Sequence, residues 1–86
     1  MATYELRFKT SVTKDLKGLS KTDIRRILAK VEALRDDPRP VGSEKLSGDE
    51  KYRVRQGDYR ILYTIYDEQV IVEVVKVGHR KDVYRK

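Results

Sequence analysis

The sequence predicts an α+β fold. An N-terminal strand and an αα-hairpin pack on a mainly antiparallel, twisted sheet, which a C-terminal three-strand meander completes before a short tail or helix. Three observations predict it. At the N-terminus Tyr4, Leu6 and Phe8 alternate with Glu5, Arg7 and Lys9, the period of a half-buried strand. Between Val12 and Leu34 the apolar residues recur at helical spacing instead, and from Tyr52 onward the chain turns to β-branched and aromatic residues cut by two short turn signals. A chain of 86 residues, 38% of them hydrophobic, has material for one core and no second, so residues 1–86 read as a single domain.

Each element follows from local chemistry. After the first strand, Ser11 is placed to cap a short helix carrying Val12, Leu16 and Leu19, with Gly18 suited to its C-terminal end. Ser20, three residues before Asp23, is a carboxylate variant of the capping box, and Ile24, Ile27, Leu28, Val31 and Leu34 then form one apolar stripe. Asp36-Asp37-Pro38 ends that helix, because the residue before a proline is pushed out of the helical region. The stretch from Pro38 to Lys51 is rich in proline, glycine and serine and reads as a connecting loop with a short extended piece at Glu44-Lys45-Leu46. Strands follow at Tyr52-Arg53-Val54-Arg55, from Tyr59 to Tyr66 and from Val70 to Val77, separated by Gly57-Asp58 and Asp67-Glu68. Glycine followed by aspartate suits a two-residue type II′ hairpin. That turn sets Arg55 opposite Arg60 and Val54 opposite Ile61. Tyr52, Val54, Tyr59, Ile61, Tyr63 and Ile65 then share one face, and Arg53, Arg55, Arg60 and Leu62 the other. With Asp67-Glu68 as a second tight loop, Val70, Val72 and Val74 join the apolar face. Lys76 would then point inward too, unless the strand frays or bulges, and no feature of the sequence settles which.

Composition excludes several classes of function. There is no Cys and only one His, which removes disulfide frameworks, thiol nucleophiles and Cys-based zinc sites and argues against a His-based metal centre. The apolar runs are too short to span a bilayer and the N-terminus has no signal-peptide core, so a cytoplasmic chain without membrane contact is expected. No phosphate-binding glycine loop, dinucleotide fingerprint or nucleophile elbow is present, and no cofactor is expected. The formal net charge is +6, from 20 Lys+Arg against 14 Asp+Glu. The excess is concentrated in the C-terminal portion, where residues 51–86 hold nine basic and five acidic side chains. That asymmetry fits a polyanionic partner.

Three arginines on one sheet face repel one another. A bound phosphodiester would offset that repulsion, since guanidinium forks match phosphate geometry; the alternative is a merely solvated face. Beyond the last strand, Gly78 lets the chain turn, and His79, Arg80 and Tyr84 follow. If this tail folds toward the arginine face, the two sets of groups form one anion site.

Tyr52-Arg53-Val54-Arg55, Gly57-Asp58-Tyr59-Arg60-Ile61-Leu62-Tyr63, Val77-Gly78-His79-Arg80 and Val83-Tyr84 together resemble the signature of RelE-type toxins of the RelE/ParE toxin–antitoxin superfamily. The resemblance extends over essentially the whole chain. It implies a toxin of a type II module, a ribosome-dependent mRNA endonuclease (mRNA interferase) that cuts the codon in the ribosomal A site and so inhibits translation. Carried over by position, it implies catalytic roles for Arg53, Arg55, Arg60, Arg80 and Tyr84, with no metal; the basic side chains Lys51, Lys81, Arg85 and Lys86, with His79, are expected to supply the RNA contacts. Some members of the family have lysines where this chain has Arg53 and Arg55. Arginine keeps the affinity for phosphate but holds its proton near neutral pH, so a base role at these two positions is not expected here.

The chemistry implied needs no covalent enzyme intermediate. A ribose 2′-hydroxyl attacks the adjacent phosphorus, the bond to the 5′-oxygen breaks, and a 2′,3′-cyclic phosphate and a 5′-hydroxyl remain. Arg60 and Arg80 are expected to stabilise the extra negative charge. Tyr84 is expected to act as general base or as a base-stacking group, with His79 as a second proton carrier. The family further implies a cognate antitoxin protein that binds the toxin and through which alone operator DNA is reached. The alternatives are a ParE-like inhibitor of DNA gyrase and a non-catalytic basic module that binds RNA or the ribosome.

Overall fold

A computed structural model describes residues 3–46 and 50–79. The elements run β1 (Glu5–Phe8), α1 (Thr10–Leu16), α2 (Lys21–Ala33), β2 (Glu44–Lys45), β3 (Lys51–Gln56), β4 (Tyr59–Tyr66) and β5 (Ile71–His79). The strands form one five-stranded sheet in the order β1-β5-β4-β3-β2. Among the described residues only the β1–β5 pair is parallel; the others are antiparallel. The α+β arrangement read from the sequence is therefore the one observed, and the expected tail or helix after β5 lies outside the described residues.

Both helices cover one face of the sheet. Val12 of α1 and Ile27 and Val31 of α2, with Leu34 just beyond, interlock with Tyr52, Val54, Ile61, Tyr63, Ile65, Val72, Val74 and Val77 in one core. The capping reading holds at α2, where the Asp23 N–H donates to Ser20 Oγ at 3.1 Å, a cap of about 1 kcal/mol. It fails at α1. There the N-cap is Lys9, with no side-chain cap, and Ser11 lies inside the helix. The helix α2 ends at Ala33, and Leu34 to Asp36 form a turn ahead of Pro38. Phe8, expected on the buried face of the first strand, is 43% exposed, because β1 is the edge strand of the described sheet, with no strand beyond it among the described residues.

The Gly57-Asp58 hairpin has the expected register, with Arg55 opposite Arg60 and Gln56 opposite Tyr59. Gly57 takes φ +61 and Asp58 stays out of the positive region, as a type II′ turn requires and a type I′ turn does not. The second loop is longer than expected. Tyr66 pairs with Ile71, so Asp67 to Val70 all lie in the connection and Val70 sits at φ 58 rather than on the apolar face. A shift of two residues preserves the alternation, and Val72 and Val74 still point inward. The question at Lys76 is resolved by a bulge. Leu62 faces Lys76 while Tyr63 faces Val74, leaving Val75 as the extra residue. Val74 and Val77 are both buried and Lys76 is exposed. The Val77 N–H is taken up by α1, donating to Asp15 Oδ2 at 3.0 Å, so the irregular backbone leaves no orphan donor there.

At the end of the sheet remote from that bulge, Arg39 ties the loop after α2 to the strands. Its Nη2 lies 2.7 Å from Asp67 Oδ2 and 3.1 Å from Glu50 Oε1, its Nε donates to Tyr52 Oη, and its guanidinium stands 5.2 Å from the Tyr52 ring centre. Arg39 holds the Asp67 carboxyl below its ordinary 3.8, and Lys45 and then Arg39 hold Glu50 below its ordinary 4.5. A carboxylate with a depressed folded-state pKa contributes stability that is complete above its unfolded value and is lost as pH falls through the folded one. Thermal melts of wild type and Arg39→Met between pH 7 and pH 2 are expected to differ most above about pH 4.5 and to converge below it. A gap that is constant with pH would remove the electrostatic account.

Candidate RNA-binding face and its arginine cluster

The sheet face away from the helices carries the basic residues that the hairpin register aligns. Along β3 the outward positions are Lys51, Arg53 and Arg55, and across β4 they meet Thr64, Leu62 and Arg60 in turn. The next strand continues two of these rows, with Lys76 beside Leu62 and Gly78 beside Arg60. Gly78 therefore extends β5 instead of turning the chain, in correction of the sequence reading. Gly78 places no side chain beside Arg60 in the ladder.

Arg60 is the unusual member. It is only 5% exposed, although Arg is almost never fully buried unless paired. Its Nε has no hydrogen-bond partner among the described residues, and its cross-strand neighbour is a second cation, Arg55. A buried donor left in this way costs about 1–3 kcal/mol, more when charged. Arg55 is exposed. Arg53 is partly buried, and its Nη2 lies 2.8 Å from Glu44 Oε1 on the edge strand β2.

Glu44 is the residue of this cluster that the sequence reading did not find. Its carboxyl is held below the ordinary 4.5, first by the hydrogen bond and charge of Arg53 and then by the charges of Arg55 and Arg60. One carboxylate thus feels all three arginines, which places their charges around a common region. The extended piece at Glu44-Lys45-Leu46 was visible, but its pairing with Arg53 depends on a register that the intervening loop does not encode. The pair leaves Arg53 partly neutralised. Arg55 and Arg60 carry most of the site's unbalanced charge.

His79 does not join them. It pairs with Tyr59 in the ladder and its ring meets the Tyr59 ring edge-on at 5.8 Å, on the helix side of the sheet. There Tyr59 Oη donates to Asp23 Oδ2 at 3.3 Å, and burial, with Asp23 next, raises the Tyr59 pKa. Asp23, Arg26, Tyr59 and His79 line a cleft of ≈ 250 Å³, separated from the arginines by the thickness of the sheet. Of the residues singled out by sequence, then, Lys51, Arg53, Arg55 and Arg60 share a face and His79 lies behind it. Arg80, Lys81, Tyr84, Arg85 and Lys86 are outside the described residues.

A helix-backed sheet with this basic face defines a class of protein. Residues 6–84 match the family described as ParE toxin of type II toxin–antitoxin system, and the chain belongs to this RelE/ParE family of toxins. Its similar proteins place it on the RelE side. It is 37% identical to Toxin RelG of Mycobacterium tuberculosis, over 96% of this chain and 98% of that one. It is 31% identical to the mRNA interferase toxin RelE of Escherichia coli K12, over 91% and 84%. Among solved structures, the archaeal RelE–RelB complex from Pyrococcus horikoshii OT3 superposes with a TM-score of 0.82 at 31% identity, covering 91% of this chain and 96% of that one.

Proposed function

We propose that this toxin is a metal-independent endoribonuclease that enters the ribosomal A site and cuts the mRNA codon there. The observation that carries the reading is Arg60, a buried guanidinium with an Nε that lacks a hydrogen-bond partner among the described residues, set against Arg55 on the sheet face away from the helices. A phosphodiester held by these guanidinium groups would offset the Arg55–Arg60 repulsion. In the reaction, the 2′-oxygen forms a bond to phosphorus as the bond to the 5′-oxygen breaks; the 2′-hydroxyl gives up its proton and the 5′-oxygen gains one. Arg60 stabilises the charge that accumulates on the phosphorane oxygens, with Arg80 as its partner. Arg55 and Arg53 hold phosphate, Arg53 sharing its charge with Glu44. Tyr84 accepts the proton or stacks on a base.

An active site rich in arginine and poor in groups that titrate near pH 7 orients and stabilises better than it deprotonates. Such a site acts slowly on free RNA, and reliance on the ribosome to position the strand follows. Lys51 on this face, with Lys81, Arg85 and Lys86, supplies the salt-dependent contacts to RNA backbone. A cognate antitoxin is the expected partner, since solved relatives of this chain are RelE–RelB complexes, and an acidic partner segment is complementary to this face.

The test is to map mRNA 5′ ends after incubation with programmed ribosomes, with and without EDTA. New ends confined to the A-site codon and unaffected by EDTA are expected. Intact mRNA together with inhibition of gyrase supercoiling would transfer the chain to the ParE-like reading. Ribosome binding without cleavage would leave a binding module.

A further inference from the structure

Beside the arginine face, the sheet edge is notched by a cleft that no residue of the reaction proposed above fully occupies. It lies between α2 and the loop leading into β2, has a volume of ≈ 340 Å³, and is lined by Lys30, Val41, Gly42, Glu44, Val54 and Arg55. Such a volume falls at the small end of the range of ligand sites. Arg55 and Glu44 belong to both the cleft and the arginine cluster, so the two are continuous around the edge.

The other cleft residues have features that packing alone does not explain. Val41 is 101% exposed, a fully solvated β-branched residue. It is held out by a turn in which the Ser43 N–H donates to Pro40 O at 3.0 Å and Gly42 takes φ +96, the left-handed position that a type II turn gives to glycine, with Val41 as the other central residue. Lys30 forms no ion pair among the described residues, whereas Arg39 and Lys45, in the chain on either side of the turn, are matched to Asp67 and Glu50. Glu44 has its Oε1 tied to Arg53, and its charge keeps a phosphate away from its own end of the cleft. An apolar surface on a rigid turn, two cations and one fixed carboxylate fit a unit with a flat apolar part and one negative charge.

We propose that this cleft seats one nucleotide of single-stranded RNA adjoining the phosphate at Arg60, with that nucleotide's own phosphate between Lys30 and Arg55 and its base against Val41. The inference rests on the reading of the arginine face as an RNA site and adds a subsite to it. Its effect is on binding and on the choice of nucleotide. The chemical step is left to Arg60 and its partners.

Binding is measured by fluorescence anisotropy with a fluorescein-labelled, fully 2′-O-methylated RNA hexamer, which cannot be cleaved, over a series of salt concentrations. Lys30→Ala is expected to weaken binding and to lower the slope of log K against log salt by about 0.7, the loss of one phosphate contact on a single strand. Val41→Ala is expected to weaken binding with the slope unchanged. Lys14→Ala on α1, an exposed cation remote from the cleft, is the control and leaves the slope as it was. Removing one terminal nucleotide from either the 5′ or the 3′ end should reproduce the Lys30→Ala loss and make that substitution silent. Equal effects of Lys30→Ala and Lys14→Ala would overturn the proposal, as would no coupling to either truncation or no hexamer binding by wild type. So would loss of antitoxin affinity with RNA affinity intact, which would give the cleft to a protein segment. Cleavage on ribosomes with binding that ignores Lys30 would overturn only the subsite. Lys30-dependent binding by a protein that never cleaves would overturn only the nuclease.

Discussion

Arg60→Ala is expected to lower the rate of mRNA cleavage on programmed ribosomes by two to three orders of magnitude, about 3–4 kcal/mol of transition-state stabilisation, the usual effect of losing one donor aimed at a developing oxyanion. The same substitution is expected to leave the melting temperature unchanged or to raise it. Arg60 is buried beside Arg55 with its Nε lacking a hydrogen-bond partner among the described residues, so its removal takes away a like-charge repulsion and an uncompensated donor as well as its packing. Opposite signs for activity and stability mark a residue held in place for function. Arg60→Lys keeps the charge but has no second forked donor, and its rate should fall between those of Arg60→Ala and wild type. Cleavage by Arg60→Ala at the wild-type rate would remove Arg60 from the chemistry. A large drop in melting temperature with a proportional loss of activity would make it structural.

That Arg55 and Arg60 face each other was legible because a two-residue turn at Gly57-Asp58 determines the register of everything that follows it in the hairpin. The same reasoning carried the core. Tyr52 and Val54 on β3 share a face with Tyr59, Ile61, Tyr63 and Ile65 on β4, and the helical stripe of α2 supplies the other layer. What sequence could not show were the features decided by non-local packing. The bulge at Val75 depends on Asp15 of α1 being present to accept the Val77 N–H, and nothing near Val75 announces it. Its consequence is that Lys76 turns outward while Val77 stays in the core. The placement of His79 follows from the same strand. Because β5 continues through Gly78 instead of turning, alternation carries His79 to the helix side, against Tyr59. Glu44 escaped notice for a related reason. Its contact with Arg53 joins an edge strand of two residues to β3, and so short a strand has no periodicity to read.

The largest effect on stability is expected at Tyr63. Its side chain is fully buried at the centre of β4, its ring stacks on Tyr52 at 5.9 Å, and its hydroxyl donates to Pro38 O at 2.7 Å. One residue thus joins the middle of the sheet to the loop that leaves α2, the loop in which Arg39 also anchors. Tyr63→Ala should cost about 3–5 kcal/mol, the range for emptying an aromatic site in a core. For a domain of this size that approaches the whole of its stability. Tyr63→Phe isolates the hydroxyl. It keeps the ring and the stacking, and it should cost about 1 kcal/mol for the lost hydrogen bond. Burial pushes the Tyr63 pKa from its ordinary 10.0 up to about 12, and the sign of the resulting pH dependence is definite. Between those two values the unfolded chain releases a proton that the folded protein keeps, so stability present below pH 10 is lost as pH rises toward 12. Urea denaturation at a series of alkaline pH values should show wild type losing stability faster than Tyr63→Phe across this window. Parallel losses in the two proteins would mean that another group is titrating. A Tyr63→Phe protein as stable as wild type at pH 7 would mean that the bond to Pro38 contributes nothing net, leaving the ring alone to hold the loop.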